Sequence, residues 1–347
     1  METSLLAVLH EIDHEVSSLA AEVRRGSQTH EDAVHELLVV RLRQLLLELD
    51  ERNGTHLYRD YRICPDPGWA ALRRLVWGVE RLVRLPRRAR GVAYVDFASG
   101  RAQRLECAPS PPPSTVRLVC VSDTHLRHRD LQLPPGDVLV HCGDVLLQGG
   151  DAHLARSEDR HLADFAAWLE EQPHPAKLLI GGNHDAHLSA AAAAELPCDY
   201  LSDRGTAVAG LQFYGSGYSK GHGGANAAFQ AQGEEKARML DFPEGLDVLV
   251  THGPPELTYG SGPFSTTMPA DKTFGCADLR QAVERCAPRV HCFGHDHSAH
   301  GAYRHGEVLF VCATSVVDGS LTAENPPIVL DVPCRVVPAE ENALPQA

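Results

Sequence analysis

Five short segments bring carboxylates, imidazoles and an amide to close spacing. They are Asp123 with His125, Gly143-Asp144, Gly182-Asn183-His184-Asp185, His252-Gly253, and Gly294-His295-Asp296-His297. The set contains no thiolate, which suits borderline divalent ions such as Mn, Fe, Zn or Co and disfavours an iron–sulfur or structural zinc site. Asp123, His125, Asp144, Asn183, His252, His295 and His297 are too many ligands for one ion. They amount to two coordination spheres if Asp144 is shared, which implies two ions about 3.5–4 Å apart.

Such residues must be carried by elements that end in one place. Each segment follows a short apolar run that reads as a buried strand: residues 116–121, 138–140, 177–180, 248–250 and 290–293. Two further runs, 211–214 and 308–311, lack a polar segment of this kind. Helical stretches at 152–171 and 277–286, with a single turn at 190–194, make this part of the chain α/β in character. In α/β sheets, sites form where loops leave the carboxyl ends of strands, so the five loops can converge.

The ordered motifs D-x-H, G-D, G-N-H-D, H and G-H-x-H resemble those of the calcineurin-like metallophosphoesterase superfamily, with every position filled. Within it, VSDTH, HCGDV, GGNHD, FYGS, VTHGPP, the GHDH loop and the late NPPI-VLDVP run are most similar to small metallophosphoesterase-domain proteins related to class III cyclic nucleotide phosphodiesterases. The likeness spans about residues 115–335. It implies a four-layer metallophosphoesterase fold, with two mixed β-sheets sandwiched between helices. It also implies one ion on Asp123, His125, Asp144 and His297, and a second on Asp144, Asn183, His252 and His295. His184 is left to protonate the leaving oxygen, with Asp185 or another carboxylate holding its ring. The ions would make a shared water available as hydroxide for in-line attack on phosphorus. The expected substrate is a small phosphoester, a phosphodiester or cyclic nucleotide, with a phosphomonoesterase, a nuclease or a non-catalytic scaffold as alternatives.

The chain departs from the family in two places. Protein phosphatases of the superfamily carry G-D-x-x-D-R-G, whereas Gly143-Asp144 here leads into Val145-Leu146-Leu147-Gln148-Gly149, without that Asp or Arg. After His297, Ser298-Ala299-His300-Gly301 stands where close relatives tend to have an acidic residue and glycines. His153, His161, His174, His187, His222, His291, His300 and His305 belong to no motif and read as surface or loop residues, with His187 and His300 the two that can lie near the site. Residues 215–224, GSGYSKGHGG, read either as a lid carrying Lys220 or as a plain loop.

Residues 1–108 read as a helical accessory region, with apolar three-and-four periodicity from Leu5, from Val34 and from Trp69, and with a hairpin from Val92 turning at Ser99-Gly100. The second helix has apolar residues off its stripe, so neighbouring helices or a second chain in a homodimer must cover it. The Pro-rich residues 109–114 read as the domain boundary, followed by the catalytic domain at 115–335 and a flexible tail at 336–347. The 347 residues carry a formal charge of −14, which disfavours nucleic acid and anionic membranes as partners. The arginine-rich stretch from Arg73 to Arg90 reads as a solvated helix face or as paired within the chain, rather than as a site for RNA or acidic lipids. Ten scattered cysteines without C-x-x-C pairs, no signal-like N-terminus and no long apolar run point to a soluble, cytoplasmic protein with reduced thiols.

Overall fold

The computed structural model describes residues 91–146, 155–188, 190–221, 228–258, 273–317, 323 and 325–335. The helices and the arginine-rich stretch expected before residue 91, and the tail at 336–347, lie outside the described residues. The chain divides into two units, Met1–Pro86 and Arg87–Ala347, of which only the second holds described residues.

In chain order this unit runs β1 (Val92–Val95), β2 (Ala102–Leu105), β3 (Thr115–Val121), β4 (Val138–His141), α1 (Ala155–Glu171), β5 (Ala176–Leu179), α2 (Ala190–Ala194), β6 (Asp199–Tyr200), β7 (Arg204–Val208) and β8 (Leu211–Ser216). It continues with α3 (Gly233–Met239), β9 (Val248–Thr251), β10 (Leu257–Thr258), β11 (Thr273–Phe274), α4 (Ala277–Cys286), β12 (Val290–Phe293), β13 (Gly301–His305), β14 (Val308–Cys312) and β15 (Ile328–Pro333). A seven-stranded sheet has the order β2-β1-β15-β3-β4-β5-β6 and a six-stranded sheet the order β13-β14-β12-β9-β8-β7, both mixed. β10 and β11 form a separate short ladder.

The apolar runs become strands because they are buried on both faces, and their alternation sorts side chains into three cores. Val116, Leu118 and Cys120 of β3 meet Val248, Val250, Val290 and Cys292 of the opposite sheet in the central core. Val119 and Val121 point the other way, onto Phe165, Trp168 and Leu169 of α1. On the far side, Leu249 and Phe293 pack against Leu279 and Val283 of α4 and Met239 of α3. Helix, sheet, sheet and helix therefore stack in the expected four layers.

The first sheet reaches further toward the N-terminus than residue 115. The hairpin expected from Val92 forms, closed by Asp96, whose Oδ1 accepts from the Ser99 amide at 2.7 Å. β1 then pairs parallel with β15, placing Ala93 opposite Ile328. The Pro-rich residues thus connect two strands of one sheet. Local sequence reveals a hairpin, but its partner strand lies near the other end of the chain.

A buried ion pair ties these pieces together. Arg117 donates from Nε and Nη2 to the two carboxylate oxygens of Asp331, each at 2.8 Å, Tyr94 donates to the same carboxylate at 3.1 Å, and Arg117 Nη2 also reaches the Pro109 carbonyl at 2.6 Å. The Asp331 hydrogen bond raises the Arg117 pKa further, against the opposing effect of burial. Asp331→Ala leaves the guanidinium buried and unpaired, so the urea midpoint should fall by the equivalent of about 3–5 kcal/mol. An unchanged midpoint would show that the pair contributes no net stability.

Candidate metal centre

All five motif loops leave the carboxyl ends of central strands: Asp123 and His125 after β3, Asp144 after β4, Asn183 to Asp185 after β5, His252 after β9, and His295 and His297 after β12. Backbone hydrogen bonds lock the loops to one another. Asp123 N donates to Gly143 O (2.9 Å), His125 N to Asp144 O (3.1 Å), and Gly294 N to His252 O (3.0 Å). Across the two sheets, His295 N donates to Asp123 Oδ2 at 2.9 Å. Asp123, His125, Asp144 and His295 all have positive φ (51°, 42°, 57° and 68°), a conformation that costs a non-glycine residue about 1–2 kcal/mol. Such strain at adjacent loops marks a functional site rather than a stability device.

The side chains converge. His125 Nε2 lies 3.3 Å from His297 Nε2, and His297 Nε2 lies 3.4 Å from Asp123 Oδ1. Asp144 Oδ2 lies 3.4 Å from His252 Nε2, 3.8 Å from His125 Nε2 and 4.0 Å from His184 Nε2. Asn183 Oδ1 sits 2.9 Å from His252 Nε2 and 2.8 Å from His295 Nδ1. Gly182 is required beside them, since a Cβ there would meet Asp144 Oδ1 at 2.2 Å. The carboxylates, His125, Asn183 and His252 are buried, whereas His184, His295 and His297 are half-buried and form the rim.

The tautomers show what this arrangement fits. His125 Nδ1 pairs with the Leu146 carbonyl at 2.8 Å and His252 Nδ1 with the Cys142 carbonyl at 2.9 Å, so each of these nitrogens carries the proton. The Nε2 of His125 then faces His297 Nε2 and Asp144 Oδ2, and the Nε2 of His252 faces Asn183 Oδ1 and Asp144 Oδ2. This set of nitrogen and oxygen donors fits divalent metal ions.

Calcineurin-like phosphoesterase sequences match residues 116–299 as a family. The chain belongs to the calcineurin-like phosphoesterase family. It is 33% identical over 254 residues to metallophosphoesterase domain-containing protein 1 of Homo sapiens, covering 65% of this chain and 73% of that one. It is 32% identical to a UPF0046 protein of Caenorhabditis elegans, covering 63% and 81%. The solved structure of TT1561 of Thermus thermophilus matches at 14% identity and a TM-score of 0.40, over 64% of this chain and 100% of that one. This calcineurin-like phosphoesterase is a metal-dependent hydrolase of phosphoester bonds.

The phosphoesterase corrects two expectations. Asp185 does not hold the ring of His184: its Oδ2 accepts from the amides of Asp144 (2.7 Å), Gly182 (2.9 Å) and Val145 (3.3 Å), and its Oδ1 from Leu146 (2.8 Å). It is a positioning residue for the Asp144 loop. Burial and the Asp144 charge push its pKa up to about 7, opposed by those amide hydrogen bonds. His184 instead abuts His125, with ring centroids 4.8 Å apart, and its amide donates to Asp144 Oδ1 at 2.8 Å.

Of the histidines expected in surface or loop positions, His174 and His300 do lie in loops but are buried, and His291 is buried inside β12. His291 shares a hydrogen bond with Thr251 Oγ1 at 2.8 Å, His174 pairs with the Pro134 carbonyl at 3.0 Å, and His300 with the Pro326 carbonyl at 3.0 Å. A hydroxyl or carbonyl partner supplied by the fold makes each of them tolerable inside, and no local pattern announces it. His153 and His222 lie outside the described residues.

The electrostatics fit cation binding. Burial pushes the pKa values of His125 and His295 down to about 3, keeping both rings neutral as ligands must be. Asp144 is held well below the usual carboxylate range: burial opposes this, but His252 and His184 outweigh it. His252 moves the other way. Burial opposes a charge on it, yet Asp144 and Asp123 raise its pKa to about 9. Without a metal its second proton is held at neutral pH and is lost as pH rises through about 9, so a metal ion taken up on Nε2 would have to displace it at neutral pH. Metal affinity should therefore rise about tenfold per pH unit from about 7 to 9 and then level off. Calorimetric titration in buffers of different protonation enthalpy counts the released proton, and a pH-independent affinity would contradict this.

Proposed function

We propose that the enzyme hydrolyses phosphodiesters, cyclic nucleotides among them, with two divalent ions drawn from Mn, Fe, Zn and Co, in the cytoplasm. The observation that carries the two-ion reading is the single oxygen Asp144 Oδ2, faced by nitrogens of His252, His125 and His184 at 3.4, 3.8 and 4.0 Å. Its partner Oδ1 is occupied by the His184 amide, so one oxygen of Asp144 serves both groups of ligands. Asp123, His125 and His297 would hold one ion, and Asn183, His252 and His295 the other. When bound, the ions supply positive charge to phosphate oxygens and acidify water.

The chain's own residues do the rest. His184, its side chain 24% exposed beside Asp144, stands at the open rim where it can deliver a proton from its ring to the leaving oxygen. Its backbone amide, bound to Asp144, keeps that ring in register with the ligands. Asp185 holds the turn that carries Asp144. The residues after Asp144 favour a diester: Val145 and Leu146 are fully buried and apolar, and supply no cation to match the second charge of a monoester. The nine described cysteines are all free thiols, six of them buried, in keeping with a reducing compartment. Among the described residues, no helix is long and apolar enough to cross a membrane.

Metal-reconstituted enzyme should cleave a bis-aryl phosphate in preference to a mono-aryl phosphate, and comparison of 2′,3′- with 3′,5′-cyclic nucleotides then narrows the substrate. His184→Ala should keep its metal content and lose about 100-fold or more in kcat. Asp144→Asn should lose metal as well as rate. Equal activity in the three proteins would refute this assignment, and preference for the monoester would refute the diester reading.

A further inference from the structure

Gly181 and Gly182 lead into Asn183, and each meets a different neighbour. A Cβ on Gly182 would fall inside the metal cluster, whereas a Cβ on Gly181 would lie 2.5 Å from Cε2 and Cζ of Phe229. The same ring fills the space at Gly217, where a Cβ would lie 2.7 Å from Phe229 Cδ1. Phe229 belongs to no strand or helix, and its φ of 57° is rare for an aromatic residue. Its neighbourhood is pinned at two points: Ala228 N donates to the Asn183 carbonyl at 3.3 Å, and the Phe229 carbonyl accepts from Ser219 N at 3.2 Å.

A pair of glycines is the least able of any dipeptide to fix the direction of the chain beyond it. Asn183 nevertheless has to keep Oδ1 within 2.8–2.9 Å of nitrogens on two histidines that belong to the other sheet. An aromatic ring seated on the first glycine, with the preceding amide bound to the Asn183 carbonyl, supplies the missing rigidity. None of the chemistry assigned to the site uses this ring.

We infer that Phe229 is a positioning residue for the metal centre: wedged between Gly181 and Gly217, it holds the Gly181-Gly182-Asn183 turn so that the Asn183 side chain stays aimed at His252 and His295. This rests on the reading of Asn183 as a metal ligand. Groups that orient ligands without touching the metal typically change affinity about 10–100-fold when removed.

The test is manganese(II) titration of the metal-free full-length chain by calorimetry, with folding followed by circular dichroism. Phe229→Ala should bind about tenfold more weakly, and Phe229→Leu should recover most of the loss. Gly181→Ala should also weaken binding, because its methyl collides with the ring. The double variant Gly181→Ala/Phe229→Ala should bind no worse than Phe229→Ala, since the methyl then has room. A merely structural ring would lower the melting temperature and leave affinity unchanged. Folded Phe229→Ala with affinity within about twofold of wild type would overturn the proposal. Should Phe229→Ala fail to fold, Phe229→Leu replaces it in the cycle with Gly181→Ala, and fully additive losses would overturn it. Asn183→Ala separates the premises: unchanged affinity there removes the ligand reading itself, whereas a loss there without one in Phe229→Ala removes only the role of Phe229.

Discussion

Two carboxylates taken almost completely out of water, Asp123 and Asp144, set the terms for everything around them. An ionised carboxylate in such a place is tolerable only with positive charge or several hydrogen-bond donors at hand. Here amides of His295 and His184 supply donors, and His252 with a proton supplies charge. That proton stands where a metal ion would fit, because imidazole nitrogens and the Asn183 amide oxygen are already turned inward beside the two carboxylates. The centre is thus assembled for cations before any cation arrives, and its affinity is tied to the acid–base state of one ring.

Holding this arrangement is the task of the two facing sheets. Asp123, Asp144 and Asn183 come from one, His252, His295 and His297 from the other, and the apolar interior between β3, β4, β9 and β12 fixes their separation. The motif turns depend on positions where no side chain fits and on others where the backbone is strained. Asp185 shows how such a turn is stabilised: one buried carboxylate gathers four amides and so orders the loop that presents Asp144. Phe229 does the equivalent from outside for the turn that presents Asn183.

Much of this is legible in the residues. Strands β3, β4, β9, β12 and β14 stand out because burial on both faces makes them continuous apolar runs, and β12 and α4 fall at their expected limits. The convergence of the five motif loops follows from their common place after such strands. Elements without that mark are not legible. β7 and β13 lie at the edges of the six-stranded sheet, half in water, with sequences as polar as RGTAV and GAYRH. α3, GEEKARM, buries little beyond Met239. The central position of β15 and the membership of β1 and β2 in the first sheet rest on pairings between chain ends, which no local pattern encodes. The role of Asp185 is hidden for a related reason: a carboxylate next to His184 in sequence turns toward the amides of the Asp144 loop once the turn closes.

Under the proposed function, one carboxylate oxygen of Asp144 is common ground for two groups of ligands. Anomalous X-ray diffraction from crystals of the manganese-loaded protein addresses it directly. Two anomalous peaks should appear on either side of Asp144, one beside Asp123, His125 and His297 and the other beside Asn183, His252 and His295. A single peak, or two peaks of which one lies out of reach of Asp144, would contradict the account.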